Sequence, residues 1–436
     1  MISAKRLIET LWALTGVLFA KFFPLVAGIL LIRIFGPEAY GHYSMTVATT
    51  NLALTATGAG LVGGLVANLA AQEGITNADA RRQRVHAFMA VNLGLLAVVI
   101  ASSAAAIQFD LLDDQLETLL ADNWAPMLLL VIVQVKLVSQ SAEATVYNLL
   151  KRLAFTSFAG GIVTSLLQLA GGYHWGVDGA LWGMALGYLM QVLLQARYLR
   201  TVPASTEPVT DQSRASMATL AVHAWRDIVH YGGYMFGSSI LVSIGLWLLS
   251  FALLREGDGL HLVAAFGVMN HWRMLMVFFP LAISNYLISR FAIQSELSRR
   301  LRTLRISLFA AIPLVVLAVG TYMMTSQILS NLYGSSYAGL TSELQLTAVI
   351  ALLAGLNSIL GNFLTGSSMF KEGLISNLVW FIALVAALAF LQRNSFDVMD
   401  ALLCLFFAYV LHSVYQLSVL FWWSRGVMPD HRAADV

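Results

Sequence analysis

The sequence predicts an all-α integral membrane protein with twelve transmembrane helices in two six-helix bundles related by a parallel repeat. Three observations carry that expectation. Of 436 residues, 58% are hydrophobic and 11% charged, where soluble domains hold ~45–50% apolar and ~25% charged residues. Mean hydropathy is +0.76 over the whole chain. Apolar runs of ~20 residues, the length of a helix that crosses a bilayer, recur from end to end. Basic residues gather in alternate loops between those runs. A membrane β-barrel would need ~10-residue segments of alternating hydrophobicity, a pattern the chain does not carry. The single cysteine, Cys404, lies in an apolar run, which excludes a disulfide framework and a cysteine-based metal site.

The first apolar run follows MISAKRLIET. Lys5 and Arg6 would suit a signal peptide, but Lys21 interrupts the run and no small-residue cleavage site follows, so an uncleaved first helix is expected. The twelve expected spans are 10–34, 41–67, 86–107, 123–149, 154–173, 178–199, 231–254, 261–289, 304–325, 340–366, 373–392 and 398–423. The longest polar gap, 200–230, follows the sixth span. It divides the chain into an N-terminal bundle over 1–200, a cytoplasmic linker over 201–230 and a C-terminal bundle over 231–436. The linker has two readings: an amphipathic surface helix about Met217–Val229 with Leu220, Val222, Trp225 and Val229 toward lipid, or a flexible interdomain segment.

The charges orient the chain. The two termini and the loops 72–85, 150–153, 197–230, 290–305 and 371–372 hold 19 of the 25 Lys and Arg residues. The opposite set of loops holds three, Arg33, Arg255 and Arg393, and also the acidic group Asp110, Asp113, Asp114, Glu117 and Asp122. The positive-inside rule places the first set, with both termini, in the cytoplasm. A miscounted span would break this alternation.

Three basic residues remain, and all fall within spans. A charge at mid-bilayer costs ~2.5–3.5 kcal/mol on insertion scales, so it faces protein or a water-filled cavity. Lys21 lies eleven residues into span 1, which at 1.5 Å per residue is ~16 Å from the end, beyond the reach of a snorkelling lysine. Lys136 lies thirteen residues into span 4 and Arg273 twelve into span 8. The one clearly intramembrane acid, Glu143, is two turns after Lys136 on the same helix face. It is either an ion-pair partner or a coupling residue. Three cations against one anion point to a cavity for an anionic or phosphorylated substrate. The structural alternative pairs Lys136 with Glu143 through water and sets the other two cations on helix carbonyls. Asn51, Gln140, Asn270 and Asn357 are candidate polar lining; Gln134, Thr55, His271 and Asn362 share those spans. Each is also suited to interhelical hydrogen bonding. Pro24, three residues from Lys21, suggests a bend in span 1. Gly58, Gly60, Gly63 and Gly64, and the pair Gly183 and Gly187, read as sites of close helix packing.

Residues 28–50 and 250–274 both run Leu-Leu, a basic residue, a glycine-bearing hairpin, a further glycine and a polar-spotted helix. Two six-span halves keep one orientation because six is even. The repeat is then parallel, about an axis along the membrane normal, with a central site between the halves.

The segment ILLIRIFGPEAYGHYSMTVATTNLALTATGAGL resembles the signature of the Wzx-type polysaccharide flippases of the multidrug/oligosaccharidyl-lipid/polysaccharide exporter superfamily. The features that carry the resemblance are the basic residue, the Gly-Pro-Glu hairpin, the Tyr40-Gly41 pair and the later Gly58 and Gly60. The segment LSNLYGSSYAGLTSELQLTAVIALLAGLNSILGNFLTGSSM is similar to the tenth-span region of that family, with Leu-Tyr-Gly before a long polar-spotted helix. The resemblance implies two six-helix bundles in a V. It implies a polyprenyl-diphosphate-linked oligosaccharide as substrate, an O-antigen or exopolysaccharide repeat unit, flipped from the cytoplasmic to the periplasmic leaflet of a bacterial inner membrane. It implies a cationic central cavity, which Lys21, Lys136 and Arg273 fit by depth, and membrane lipid and polysaccharide polymerase machinery as further partners.

The other function classes fit less well. A multidrug exporter of cations would need an acidic cavity. A polysaccharide polymerase or glycosyltransferase would need a catalytic loop, and the acidic 110–122 stretch has no base or metal-ligand histidine beside it. No glycine-rich nucleotide loop is present. The expectation is therefore a transporter and not an enzyme, with no cofactor, no metal and no nucleic-acid partner.

Overall fold

In a computed structural model, the described residues are 4–59, 90–102, 114–146, 149–199, 211–294, 296–309, 311–393 and 395–425. They are helical apart from short turns, with no strand among them. The helices are α1 (Ala4–Leu54), α2 (Ala90–Ser102), α3 (Asp114–Val146), α4 (Leu150–Leu199), α5 (Asp211–Leu254), α6 (Gly259–Ala282), α7 (Ser284–Ile293), α8 (Leu297–Phe309), α9 (Ile312–Met323), α10 (Thr325–Ile328), α11 (Thr341–Gly366), α12 (Phe370–Leu391) and α13 (Val398–Ser424). Nine helical stretches among the described residues are long and apolar enough to cross a membrane. Two of them, Phe22–Gly58 and Lys151–Leu199, each overlap two expected spans, and α2 lies in the third expected span, so all twelve are accounted for.

The two double spans break at glycine. Gly36 stands at φ 73° and ψ 174° inside α1, and Gly176 at φ 64° and ψ −147° inside α4. Positive φ is open to glycine and costs an L side chain ~1–2 kcal/mol. Gly58, also at positive φ, lies in the π-turn Thr55–Ala59 that follows α1. The other members of that glycine group, Gly60, Gly63 and Gly64, lie outside the described residues.

Contacts divide the chain into two compact units, Met1–Pro24 with Thr49–Ile240, and Leu25–Ala48 with Leu241–Val436. The second half of span 1 and the start of span 2 therefore pack within the C-terminal unit, and the first boundary falls at Pro24. Residues 211–230 are helical and run directly into span 7 as α5.

In the first unit, α3 packs along α4. Leu96, Val131 and Val135 form a small core that Ala53 and Leu54 join. The two halves of α4 fold back on each other with almost no side chain between them. A Cβ at Gly183 would fall on the Leu167 carbonyl, one at Gly187 on the Thr164 backbone, and one at Gly171 on the Gly179 carbonyl. These backbones touch because the sequence places glycine at each crossing. Lipid gives no hydrophobic drive to helix association, so close van der Waals approach is what holds such a pair.

In the second unit α11 is central. It packs against α6, α7, α9 and α13, and α12 packs against α13. Phe363 of α11 meets Phe291 at 5.1 Å and Trp423 at 5.3 Å between ring centroids, both edge-on. α13 starts where Asp397 and Asp400 form a reciprocal capping box with bonds of 3.0 and 3.2 Å. The outward rows are apolar: Leu378, Ile382 and Val385 on α12, and Phe407, Leu411, Val414 and Leu417 on α13, are exposed at helical spacing. An exposed apolar stripe on a buried-core bundle suits hydrocarbon as solvent.

Candidate functional site

Arg273 is the organising residue of the second unit. It sits fourteen residues after Gly259 on α6, ~21 Å along the axis, and is 6% exposed. Its Nε and Nη2 both donate to Asn270 Oδ1, at 3.1 and 2.6 Å. Its Nη1 donates to the Tyr409 hydroxyl at 3.0 Å. Nη2 also approaches Met274 Sδ at 3.9 Å. All the oxygen acceptors are neutral, and among the described residues no carboxylate pairs with this guanidinium. A buried cation without a counter-ion is expensive, by several kcal/mol even after relaxation. The arrangement holds a fixed positive charge at mid-helix that an anion would relieve.

A second layer fixes Tyr409. Asn357 on α11 donates to the Tyr409 backbone carbonyl at 3.2 Å, and Ser413 bonds both that carbonyl, at 2.9 Å, and Asn357 Oδ1, at 2.8 Å. The Tyr409 ring lies 5.7 Å from Trp380. Trp380 in turn fills the space over Gly245, where a Cβ would stand 2.7 Å from Cζ3. α11, α12 and α13 thus meet at Tyr409, whose hydroxyl accepts from Arg273. Asn270 and Asn357, expected as cavity lining, are here holders of Arg273 and of its partner. Sequence reasoning missed Tyr409 and Ser413. The signal was available: Tyr409, His412, Ser413 and Gln416 interrupt an apolar run at spacings of three and four, which is one helix face.

The motifs at the other end of the same unit also converge. Arg33 donates to the carbonyls of Leu332, at 2.7 Å from Nε, and of Asn331. Those carbonyls belong to the π-turn Leu329–Tyr333, which ends at Gly334 with φ 87°. Arg33 therefore caps the orphan carbonyls of a helix end. Trp272 Nε1 donates to the Tyr333 hydroxyl at 2.8 Å, and the Tyr40 hydroxyl lies 3.0 Å from His271 Nδ1. A Cβ at Gly28 would stand 2.7 Å from His271 Cε1. The Gly-Pro-Glu hairpin and the Leu-Tyr-Gly segment, nearly three hundred residues apart, form one contact. Burial raises the Tyr333 phenol and pushes Tyr337 up to about 12. The second basic residue of the repeat, Arg255, lies instead over Phe251 at 5.9 Å.

The remaining candidates lie in the first unit. Lys136 on α3 is exposed, ten residues before the helix ends at Val146. No ion pair joins it to the half-buried Glu143 among the described residues. Gln140 is 4% exposed with Oε1 unpartnered, and Asn51 is exposed. Lys21 is on α1, with its side chain outside the described residues. Gln195 on α4, which sequence reasoning passed over, is 3% exposed with both amide atoms unpartnered.

Helical spans, apolar outward faces and a buried uncompensated cation define a membrane transporter fold with a polar interior, and comparison with solved structures agrees. A MATE transporter from Vibrio cholerae, a point mutant of VcmN, is similar at 14% identity with a TM-score of 0.65, covering 95% of this chain and 96% of that one. A MATE protein in complex with MaL6 is similar at 16% identity and TM-score 0.71, covering 95% and 94%. A MOP-superfamily transporter from Pyrococcus furiosus, described as having a binding pocket of reverse polarity that suggests a different function, is similar at 16% identity and TM-score 0.70, covering 95% and 93%. The fold is that of these transporters, twelve helices in two repeat bundles, as the sequence predicts. Among curated proteins none matches by sequence. The family model described as polysaccharide biosynthesis protein matches residues 7–274, and the chain belongs to that family.

Proposed function

We propose that the protein flips a polyprenyl-diphosphate-linked oligosaccharide, an O-antigen or exopolysaccharide repeat unit, from the cytoplasmic to the periplasmic leaflet of a bacterial inner membrane by alternating access along a cationic path. The observation that carries this reading is Arg273, buried at mid-helix with only Asn270 and Tyr409 as oxygen partners among the described residues. A diphosphate supplies the counter-charge that the described protein atoms do not, through charge-assisted bonds to a fork-shaped donor. Lys136 supports the same reading. A mid-span lysine with an exposed side chain is tolerable beside water and costly beside hydrocarbon. Lys21 is assigned the same role by its depth in the sequence. Glu143 is the candidate coupling group. Membership in a polysaccharide biosynthesis family supports the substrate class.

Complementation tests the proposal. Lys21→Ala, Lys136→Ala and Arg273→Ala are expressed separately in a flippase-null bacterium, with membrane protein level measured beside surface polysaccharide. The expected result is normal insertion with lost or sharply reduced polysaccharide for each variant. Normal complementation by all three would remove the charge argument. The second reading, export of drugs, has support from fold neighbours that include a multidrug resistance MATE transporter. It predicts raised drug resistance on expression, and an uncompensated cation disfavours it for cationic drugs.

A further inference from the structure

Helix α8 carries four arginines in thirteen residues, and the substrate path uses none of them. One is turned inward. Arg300 is 1% exposed, its Nε donates to the Gln294 carbonyl at 2.6 Å, and its guanidinium lies 5.9 Å from the Trp423 ring centroid. Leu304 and Ser307 are buried on the same face, within ~60° of Arg300 at 3.6 residues per turn. The helix is thereby clamped, and its opposite face is fixed outward. That face carries Arg302, Arg305, Ile306 and Phe309, all exposed, the last two at 60% and 69%. Arg302 and Arg305 make no hydrogen bond or ion pair among the described residues. Arg299 is exposed at the same end and pairs with Glu296 at 3.0 Å. Arg425 follows Trp423 by two residues, so it stands near the same end of α8.

The order along the helix matters. The arginines come first and the exposed apolar residues after them. α8 opens the span Ser298–Met323, and the thirteen residues of α8 with the twelve of α9 measure ~38 Å. That exceeds the ~30 Å hydrocarbon core. The first turns therefore stand at headgroup depth, and Ile306 and Phe309 reach the acyl region below. A guanidinium fork matches phosphate oxygens, and basic residues beside a leaflet attract anionic lipid. We propose that the outer face of α8 is a binding site for anionic phospholipid, with Arg302 and Arg305 on the headgroup phosphate and Ile306 and Phe309 against the acyl chains. A soluble acidic partner fits less well, because the same face continues into the apolar Ile306 and Phe309.

The test uses the full-length protein in nanodiscs of phosphatidylcholine with phosphatidylglycerol. Native mass spectrometry counts the lipids that stay bound after release. The wild type is expected to retain phosphatidylglycerol in preference to phosphatidylcholine. The double variant R302Q/R305Q should lose that preference by roughly fivefold per arginine, and R302K/R305K should keep most of it. Both positions are exposed, and a monodisperse elution profile confirms that each variant is folded. Unchanged phosphatidylglycerol retention by R302Q/R305Q overturns the proposal. So does a site that holds added polyprenyl diphosphate in preference to phosphatidylglycerol. Lipid retention is read without transport, so a failed flippase assignment leaves this result intact.

Discussion

Replacing Arg273 by methionine separates function from fold. The side chain keeps much of its length and loses its charge. Three bonds to oxygen disappear, at 3.1, 2.6 and 3.0 Å. Hydrogen bonds to a charged group contribute ~1.5–3 kcal/mol each, so the three together are worth ~4.5–9 kcal/mol. Against that stands the relief of a buried, uncompensated guanidinium, several kcal/mol in the other direction. The relief offsets much of that loss, so the fold should change by at most a few kcal/mol. The substrate sees only the loss. One charge-assisted contact to phosphate, ~1.5–3 kcal/mol, is a ~10- to 150-fold weaker hold. The assay pairs thermal unfolding in detergent with surface polysaccharide in a complemented null strain. Expected are a melting temperature within a few degrees of wild type and lost polysaccharide. Arg273→Lys should fall between, since an ammonium keeps the charge but cannot reach Asn270 and Tyr409 in the same fork geometry. A large drop in melting temperature for Arg273→Met, with transport falling only as protein level falls, would refute the reasoning and make Arg273 a structural anchor.

Three further outcomes follow from the geometry. Gly183→Leu puts a side chain on the Leu167 carbonyl and forces the halves of α4 apart, at an overpacking cost of ~1–3 kcal/mol or more; membrane yield should fall, whereas Gly373→Ala, with open space at its Cβ, should accumulate normally. Arg33→Ala uncaps the Asn331 and Leu332 carbonyls, and hydrogen exchange over residues 329–340 should quicken while α13 stays protected. Tyr337 has its pKa raised from 10.0 to about 12 by burial, so the folded state holds its proton where the unfolded chain has lost it. That contribution is complete below pH ~10 and declines as the pH rises toward the folded value. A pH titration of unfolding should therefore show no phenol-linked change between pH 5 and 9 and a loss of stability above 10.

Much of the architecture was legible in the chain. Spans 10, 11 and 12 were expected at 340–366, 373–392 and 398–423 and are observed at Thr341–Gly366, Phe370–Leu391 and Val398–Ser424. Apolar run length alone sets them, because lipid demands that a spanning segment satisfy its own backbone. Local chemistry also named Gly183 and Gly187, where two backbones pack closely, but not Gly176, where α4 reverses. The linker was less legible. Residues 211–230 left two readings open, a surface helix about Met217–Val229 or a flexible segment, and they continue the helix of span 7, since helix propagation costs little once a long helix is nucleated.

The sequence by itself determined the class of solvent, the number of spans and which charges fall within them. Each follows from a one-dimensional quantity: the length of an apolar run, or the depth of a charge within it. Tertiary structure decided which residues meet. Only there does Tyr409 reach Arg273 across 136 positions, Arg33 cap a turn 299 positions away, and residues 25–48 pack with the C-terminal unit rather than with the rest of their own bundle. The reason is physical. In a bilayer, lipid and protein interior are nearly equal as apolar surroundings, so hydrophobicity does not mark the inward face of a span. That face is chosen by glycine-permitted backbone approach and by the few polar groups that find each other, and both are properties of pairs of helices.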